Sequence, residues 1–249
     1  MGRAKEIIVK VIPSKIANDF VKKWHYSGKV VSNSQLHFGA FLDGKLHGVM
    51  SFGPSLDKRK VVNLVKNTRW NEFVELNRMA FDEYLPKNSE SRCISIALKL
   101  IKKNAPHIKW IVSFADGMQC GDGTIYRASG FLLTGFSSGS MWKLPQNLVK
   151  LNKGEIAHRL KIQDKCSEIS KYIMEKTNGK NLTIEKCVEK FGGEILDGYM
   201  LRYIYFIDKS KEKDLTVPII PFSKIDELNA GMYKGQKITQ AERHNKKEA

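Results

Sequence analysis

The sequence predicts an α/β protein built on a mixed β-sheet with helices on its faces. Three observations predict it. Strand-like and helix-like periodicities alternate from Glu6 to Ser138. An Asp43-Gly44 pair sits between two short apolar runs, the strongest short signal for a β-hairpin. The segment "IKWIVSF" is almost continuously apolar, as a central strand buried on both faces requires. Strands and helices in this order are best covered by a mixed sheet with helices packed on it.

"EIIVKVI" (6–12) is rich in β-branched residues and reads as a first strand. Pro13 and Ser14 open a helix, with Ser14 placed to cap it. Ile16, Ala17, Phe20, Val21 and Trp24 give that helix one apolar face, and Gly28 stops it. "LHFGAFL" and "KLHGVMSF" form the hairpin, followed by a loop to about Trp70. "FVELNRMAF" alternates, with Val74, Leu76 and Arg78 expected on one face and Phe73, Glu75 and Asn77 on the other. In "PKNSESRCISIALKLIKKN" the apolar Cys93, Ile94, Ala97, Leu98 and Ile101 follow helical spacing. "GTIYRASGF" is a short helix ended by Gly130, and "FLLTGFSS" resumes a strand. The texture changes near Lys150. "IQDKCSEISKYIMEKT" and "TIEKCVEKFG" are amphipathic helical stretches, and "YMLRYIYFID" is a strong strand that rejoins the sheet. The expected division is a catalytic core over 1–150, a helical insertion over 151–198, a last core strand over 199–208, and a polar, partly mobile extension over 209–249.

Lys plus Arg number 42 against 26 Asp plus Glu, a net charge of +16. Such a surface favours a polyanion, most often nucleic acid, because each neutralised phosphate releases counterions. The plainer alternative is a lysine-rich surface with no such role. The four cysteines, Cys93, Cys120, Cys166 and Cys187, include no C-x-x-C pair. They read as reduced thiols rather than a zinc knuckle. No apolar leader opens the chain and no run reaches the length of a membrane span, so a soluble cytoplasmic protein is expected.

Chemistry-bearing residues cluster in a few places. Lys87, Asn88, Ser89, Ser91 and Arg92 crowd the positive end of a helix, a ready site for an anion, although capping alone would also explain the Ser and Asn. Arg78 on an inward face must be paired by neighbours or reach a ligand in a cleft. Ser113 and Asp116 lie at the carboxyl end of the central strand, where ligands collect in open α/β sheets. Asp116 serves equally well as a cap for the turn after it. Tyr126 lies ten residues on, either in the core or facing Asp116. His25 and Tyr26 close the first helix.

The element order resembles the GNAT N-acetyltransferase fold, in which a pyrophosphate-binding turn and helix follow the fourth strand. "WHYSG", "ELNRMAFDEYLPKNSESRCIS", "WIVSFAD" and "GTIYRASGFLLTG" together resemble the bacteriophage Mom family of DNA-modifying proteins, as does the closing "LRYIYFID". That resemblance implies a GNAT-like enzyme that converts adenine in duplex DNA to an N6-carbamoylmethyl derivative and so protects phage DNA from restriction. It implies acetyl-CoA as cofactor, with the pyrophosphate turn at Lys87–Arg92, and an iron ion. By motif, the active-site residues fall on His25, Tyr26, Arg78, Asp116 and Tyr126; Ser113, from its place near the strand end, is a further catalytic candidate. His25, Tyr26, Asp116 and Tyr126 offer the nitrogen and oxygen ligands that suit iron. Alternatively Asp116 is a general base and Tyr126 an acid, with Arg78 gripping a carboxylate or phosphate. His158 and Arg159 are candidates for contact with the DNA backbone, and the target base would be flipped from the stack. The glycines of the usual GNAT turn are replaced here by "NSESRC". The resemblance further implies a phage-encoded protein acting in a bacterial host. The oligomeric state stays open, with a homodimer among the options. Two other readings compete: an ordinary GNAT acetyltransferase acting on a protein or small amine, and a DNA-binding protein without catalysis.

Overall fold

The computed structural model describes residues 3–239 and Glu242. The expected mobile end, from Gln240 onward, otherwise lies outside the described residues. The chain folds into two units. The first holds residues 1–115, 123–135 and 201–224, and the second holds 116–122, 136–200 and 225–249.

The first unit carries the predicted mixed α/β sheet. A one-turn 3-10 segment, Arg3–Glu6, precedes β1 (Ile8–Val11). Then come α1 (Ser14–Trp24), the hairpin β2 (Leu36–Leu42) and β3 (Lys45–Gly53), and α2 (Lys58–Val62). β4 (Phe73–Phe81), α3 (Ser89–Asn104), β5 (Trp110–Asp116) and α4 (Thr124–Ala128) follow. β6 (Leu132–Lys143) begins in this unit, and β8 (Glu194–Phe206) ends in it. The strand order is β1-β2-β3-β4-β5-β8-β6, antiparallel from β1 to β4 and parallel between β4 and β5. α1 is capped by Pro13 rather than Ser14, and no side chain bonds to its first amides. Proline's fixed φ already suits that position. Ala17 and Val21 of α1 pack on Val49 and Ala80. Further along β4, Phe73 stacks flat on Trp110 with ring centroids 4.5 Å apart, beside Val61, Val65 and Ile204.

One departure from simple alternation positions the site. β3 and β4 pair Ser51 with Arg78 but Phe52 with Leu76, so Asn77 is an extra residue in β4. Ser51 and Phe52 face opposite ways, and therefore so do Arg78 and Leu76. The expectation that Arg78 shares a face with Leu76 is corrected by this bulge. Leu76 joins the core with Phe52 and Phe38, whereas Arg78 faces the α1 side.

The second unit builds a core of its own. α5 (Gln146–Asn152), β7 (Ile156–His158), α6 (Arg159–Gln163), α7 (Glu168–Lys176) and α8 (Ile184–Phe191) surround Trp142 of β6. Leu148, Ala157, Ile169, Ile173 and Cys187 complete that core. β7 pairs antiparallel with the end of β6, and the Trp142 indole donates to Gly192 O at 2.9 Å. Ser167 and Thr183 cap α7 and α8 with their hydroxyls. After β8 the chain makes a 3-10 segment (Lys209–Asp214), α9 (Ser223–Glu227) and a small ribbon of β9 (Met232–Tyr233) and β10 (Gln236–Lys237). Among the described residues, no helix is long and apolar enough to cross a membrane.

Candidate functional site

His25, Tyr26 and Arg78 gather on the α1 side of the sheet, near the C-terminal end of α1. Pairing places His37 of β2, Ser51 of β3 and Arg78 of β4 side by side in one cross-strand row. The His37 imidazole Nδ1 lies 2.8 Å from Ser51 Oγ, and burial pushes its pKa down. Arg78 donates from Nε to Lys29 O at 2.9 Å and from Nη1 to Asn77 O at 2.8 Å. Two backbone carbonyls thus hold the planar fork in place, and its other donors are the ones a ligand anion would use.

His25 caps the end of α1, its amide bonded to Val21 O. Its ring tilts against the Tyr26 ring at 4.3 Å, and Tyr26 is half exposed. Burial first, and then the Arg78 charge, pull the His25 pKa down to about 4. The imidazole is therefore neutral at physiological pH. The Ser27 amide donates to His25 Nδ1 at 3.2 Å, which places the ring proton on Nε2. His25 accordingly presents an N–H donor rather than a base.

Glu75 and Asn77, which the motifs did not single out, complete this side. Burial raises the Glu75 pKa, against the opposing pull of Ser55, Asn77 and the Arg78 charge. Asn77, the bulge residue, accepts from Ser34 Oγ at 3.1 Å and reaches back to Pro54 O. A sequence signal for Glu75 existed, since an acid in an otherwise half-buried strand must be satisfied or functional. No sequence signal marked His37, because its role depends on strand register.

β4 and β5 pair only from Phe73↔Trp110 to Glu75↔Val112. Ser113 lies just beyond, fully buried, and its hydroxyl donates to Leu76 O at 3.2 Å. Tyr126 is buried in α4 against Phe131 and Tyr203, at 5.4 and 5.3 Å between centroids. Gly123 before it has φ 84°, and a Cβ there would overlap the Tyr203 ring, so glycine is required on both counts.

The start of α3 is arranged for an anion in its backbone more than in its side chains. Asn88 is left-handed at φ 69° and no side chain caps the first amides. Ser89 Oγ donates to Pro86 O at 2.5 Å and Ser91 Oγ to Asn88 O at 3.2 Å. Arg92 Nη2 turns away to Lys5 O, while Lys87 is exposed. Uncapped amides at the positive end of a sixteen-residue helix fit a phosphate group.

In the second unit, Asp116 is 8% exposed and holds the turn that follows it. Its Oδ1 accepts from the amides of Met118 and Gln119 at 3.0 and 3.1 Å, and its Oδ2 from Gln119 Nε2 at 2.9 Å. Burial and then the Asp116 charge raise the Cys120 thiol. His158 ends β7 and Arg159 opens α6, both with exposed side chains. Desolvation and Arg159 lower the His158 pKa while the Asp116 charge opposes them.

Among the described residues, no group of three or more His, Cys, Asp or Glu side chains is placed to hold a metal ion. The iron centre that the resemblance implied has no support from these four residue types; Tyr26 and Tyr126 are its other expected ligands. His25 Nδ1 is engaged by Ser27, which further weakens it as a ligand.

Comparison with known proteins gives three findings. The model of the Mom protein family matches residues 6–224. The methylcarbamoylase mom of Escherichia phage Mu is 38% identical over 142 residues, which is 57% of this chain. The match spans 58% of that relative's own length. Among solved structures, an IAA acetyltransferase from Bacillus cereus is 12% identical, covering 80% of this chain and 99% of its own, at a TM-score of 0.41. A Bacillus subtilis acetyltransferase in complex with CoA is 11% identical, covering 80% and 98%, at 0.40. A spermidine/spermine N-acetyltransferase from Vibrio cholerae is 8% identical, covering 85% and 99%, at 0.44.

Proposed function

Because this chain belongs to the Mom protein family, we propose that it is a transferase that modifies the N6 amine of adenine in DNA with a carbamoylmethyl-type group. The observation that carries the reading is the family match across residues 6–224. The net charge of +16 supports duplex DNA as the macromolecular substrate. On this reading the protein is phage-encoded and acts in the bacterial cytoplasm against restriction.

Adenine N6 is an aromatic amine and a weak nucleophile, so the site must orient the donor and remove a proton. Arg78, held by Lys29 O and Asn77 O, grips an anionic group of the donor or the DNA. Neutral His25 offers its Nε2 proton to an oxygen that gains charge in the reaction. Glu75, whose pKa burial raises, is a stronger base than an exposed carboxylate and is suited to take the amine proton. Where Asp116 serves as the base in place of Glu75, Tyr126 is the acid, and Tyr26 and Ser113 are further catalytic candidates. Asp116 lies in the second unit, as do His158 and Arg159, the candidates for contact with the DNA backbone. Acetyl-CoA, if bound, would rest its pyrophosphate on the α3 start at Lys87–Arg92 and bring a two-carbon unit to the site; acyl transfer alone would give N6-acetyladenine, so the amide nitrogen of a carbamoylmethyl group would come from a second donor.

The test is the nucleoside mass spectrum of DNA from cells expressing the protein. A modified adenine of increased mass is expected, reduced roughly a hundred-fold with Arg78→Lys, since a point ammonium cannot replace a bidentate fork. Only unmodified adenine from the wild type sinks the reading. Unmodified DNA combined with acetylation of a protein or small primary amine would favour the ordinary acetyltransferase.

A further inference from the structure

A concave surface lies on the segment that connects β3 to β4 in the first unit. It is a cleft of about 400 Å³ walled by Pro54, Ser55, Leu56, Asp57, Lys58, Arg59 and Trp70. That volume suits a small ring system. Two of its walls are apolar and face solvent: Trp70 is 54% exposed and Leu56 83%. Large apolar side chains left open beside one another mark a binding surface when cations rim them.

Trp70 is fixed rather than loose. The Arg69 amide donates to Glu72 Oε2 at 2.8 Å, and the Glu72 amide returns to Arg69 O at 3.0 Å. Thr68 Oγ1 accepts from the buried Trp110 indole at 3.1 Å. The indole is thus presented on a pinned turn. Its present neighbour is the Lys58 ammonium, 4.8 Å from the Trp70 ring and 5.3 Å from the Phe73 ring. A cation over an exposed aromatic face is a weaker interaction than a nucleobase stacked on it. A base would displace Lys58 toward the phosphate that accompanies the base. Lys58, Arg59 and Lys60 are consecutive cations, and the one acid beside them, Asp57, is held by Lys60 at 3.1 Å.

The cleft also joins the site already described. Pro54 O accepts from Asn33 Nδ2 at 2.9 Å and lies within reach of Asn77 Nδ2, the bulge residue beside Arg78. Ser55, buried in the cleft wall, turns toward the Glu75 carboxyl.

We propose that this cleft holds one unpaired nucleobase of a DNA strand, stacked on Trp70, with the adjoining phosphate on Arg59 and Lys58. The inference rests on DNA being the substrate, and it assigns the protein a preference for locally opened or single-stranded DNA. A base inside a duplex has no free face to offer, so the cleft would hold a strand that has been opened.

The test is fluorescence anisotropy of the full chain with a labelled oligodeoxyadenylate and with a blunt duplex of equal length, across a salt series. Trp70→Ala should weaken single-strand binding by roughly five- to hundred-fold, the range of one stacked base. Trp70→Phe should restore most of it, and duplex binding should change far less. Arg59→Ala should flatten the single-strand salt dependence by about one phosphate contact. Wild-type affinity in Trp70→Ala overturns the proposal, and so does an equal loss on duplex and single strand. If wild-type DNA carries no modified adenine while Trp70→Ala still loses the single strand, the enzymatic reading falls and the cleft stands.

Discussion

Lowering the pH from 7 to 5 should cost this protein stability through one named imidazole. His25 has its pKa pulled from 6.5 to about 4 by burial and by Arg78. The sign follows from the unfolded chain binding the proton more readily. Stability from neutral His25 is fully present above pH 6.5 and is lost progressively as the pH falls toward 4. Each pKa unit corresponds to about 1.4 kcal/mol, so the difference in proton affinity amounts to about 2 kcal/mol at pH 5. The ring is only partly buried, and screening reduces this to about 1 kcal/mol. Urea denaturation at both pH values would measure it, comparing wild type with His25→Gln. His37 and His158 are also lowered and contribute to both proteins alike, so the difference between the two isolates His25. Arg78→Gln should raise the His25 pKa as read by NMR titration. Equal losses in wild type and His25→Gln, or a His25 pKa at 6.5 or above, would refute the electrostatic account and with it the neutral donor role.

Four further outcomes follow from the geometry. Gly123→Ala forces a side chain into left-handed backbone against the Tyr203 ring, and should cost more than about 2 kcal/mol by thermal or urea denaturation. Asp116→Ala leaves the amides of Met118 and Gln119 without their acceptor and should cost about 1–3 kcal/mol, whereas Asp116→Asn keeps one carbonyl oxygen and should cost less. Burial lifts the Cys93 and Cys187 thiols to about 12 and about 11, so a thiol reagent on native protein should label the exposed Cys166 first and these two only on unfolding. Deleting Asn77 should straighten β4 while keeping Arg78 opposite Ser51. A folded protein by circular dichroism that has lost the modified nucleoside is expected, and retained modification would show that the bulge is dispensable.

The alternation of apolar residues made the first unit readable. The hairpin at Asp43-Gly44, the Ser89–Asn104 helix and the strand ending at Asp116 stand where their patterns placed them. These elements carry their own signals, namely turn chemistry, helical spacing and a continuous apolar run. What escaped was fixed by tertiary context. Lys58–Val62 and Gln146–Asn152 are helices too short for a period to declare itself, and each is held by one buried side chain or two. β8 starts at Glu194, five residues before its apolar run, because pairing continues through polar residues. The same limit applied to the site. His25 and Arg78 announced themselves by residue type, whereas His37 and Ser51 became visible only through the register that sets them beside Arg78.

That register gives the single extra residue in β4 its importance. Without a bulge, a strand that buries Leu76 against Phe52 would also turn residue 78 into the core, where an unpaired guanidinium is untenable. With Asn77 inserted, the same strand buries Leu76 and still delivers Arg78 to the α1 side, beside Ser51 and under the influence of His25. The inserted residue also does the anchoring. Its carbonyl accepts from Arg78, and its side chain ties Ser34 on one flank to Pro54 on the other. Pro54 is a wall of the Trp70 cleft. A rigid arginine fork and an aromatic shelf for a base are thus set by one irregularity in one strand. Substitutions at Asn77 should therefore disturb donor positioning and strand binding together, while Trp70→Ala should disturb strand binding alone.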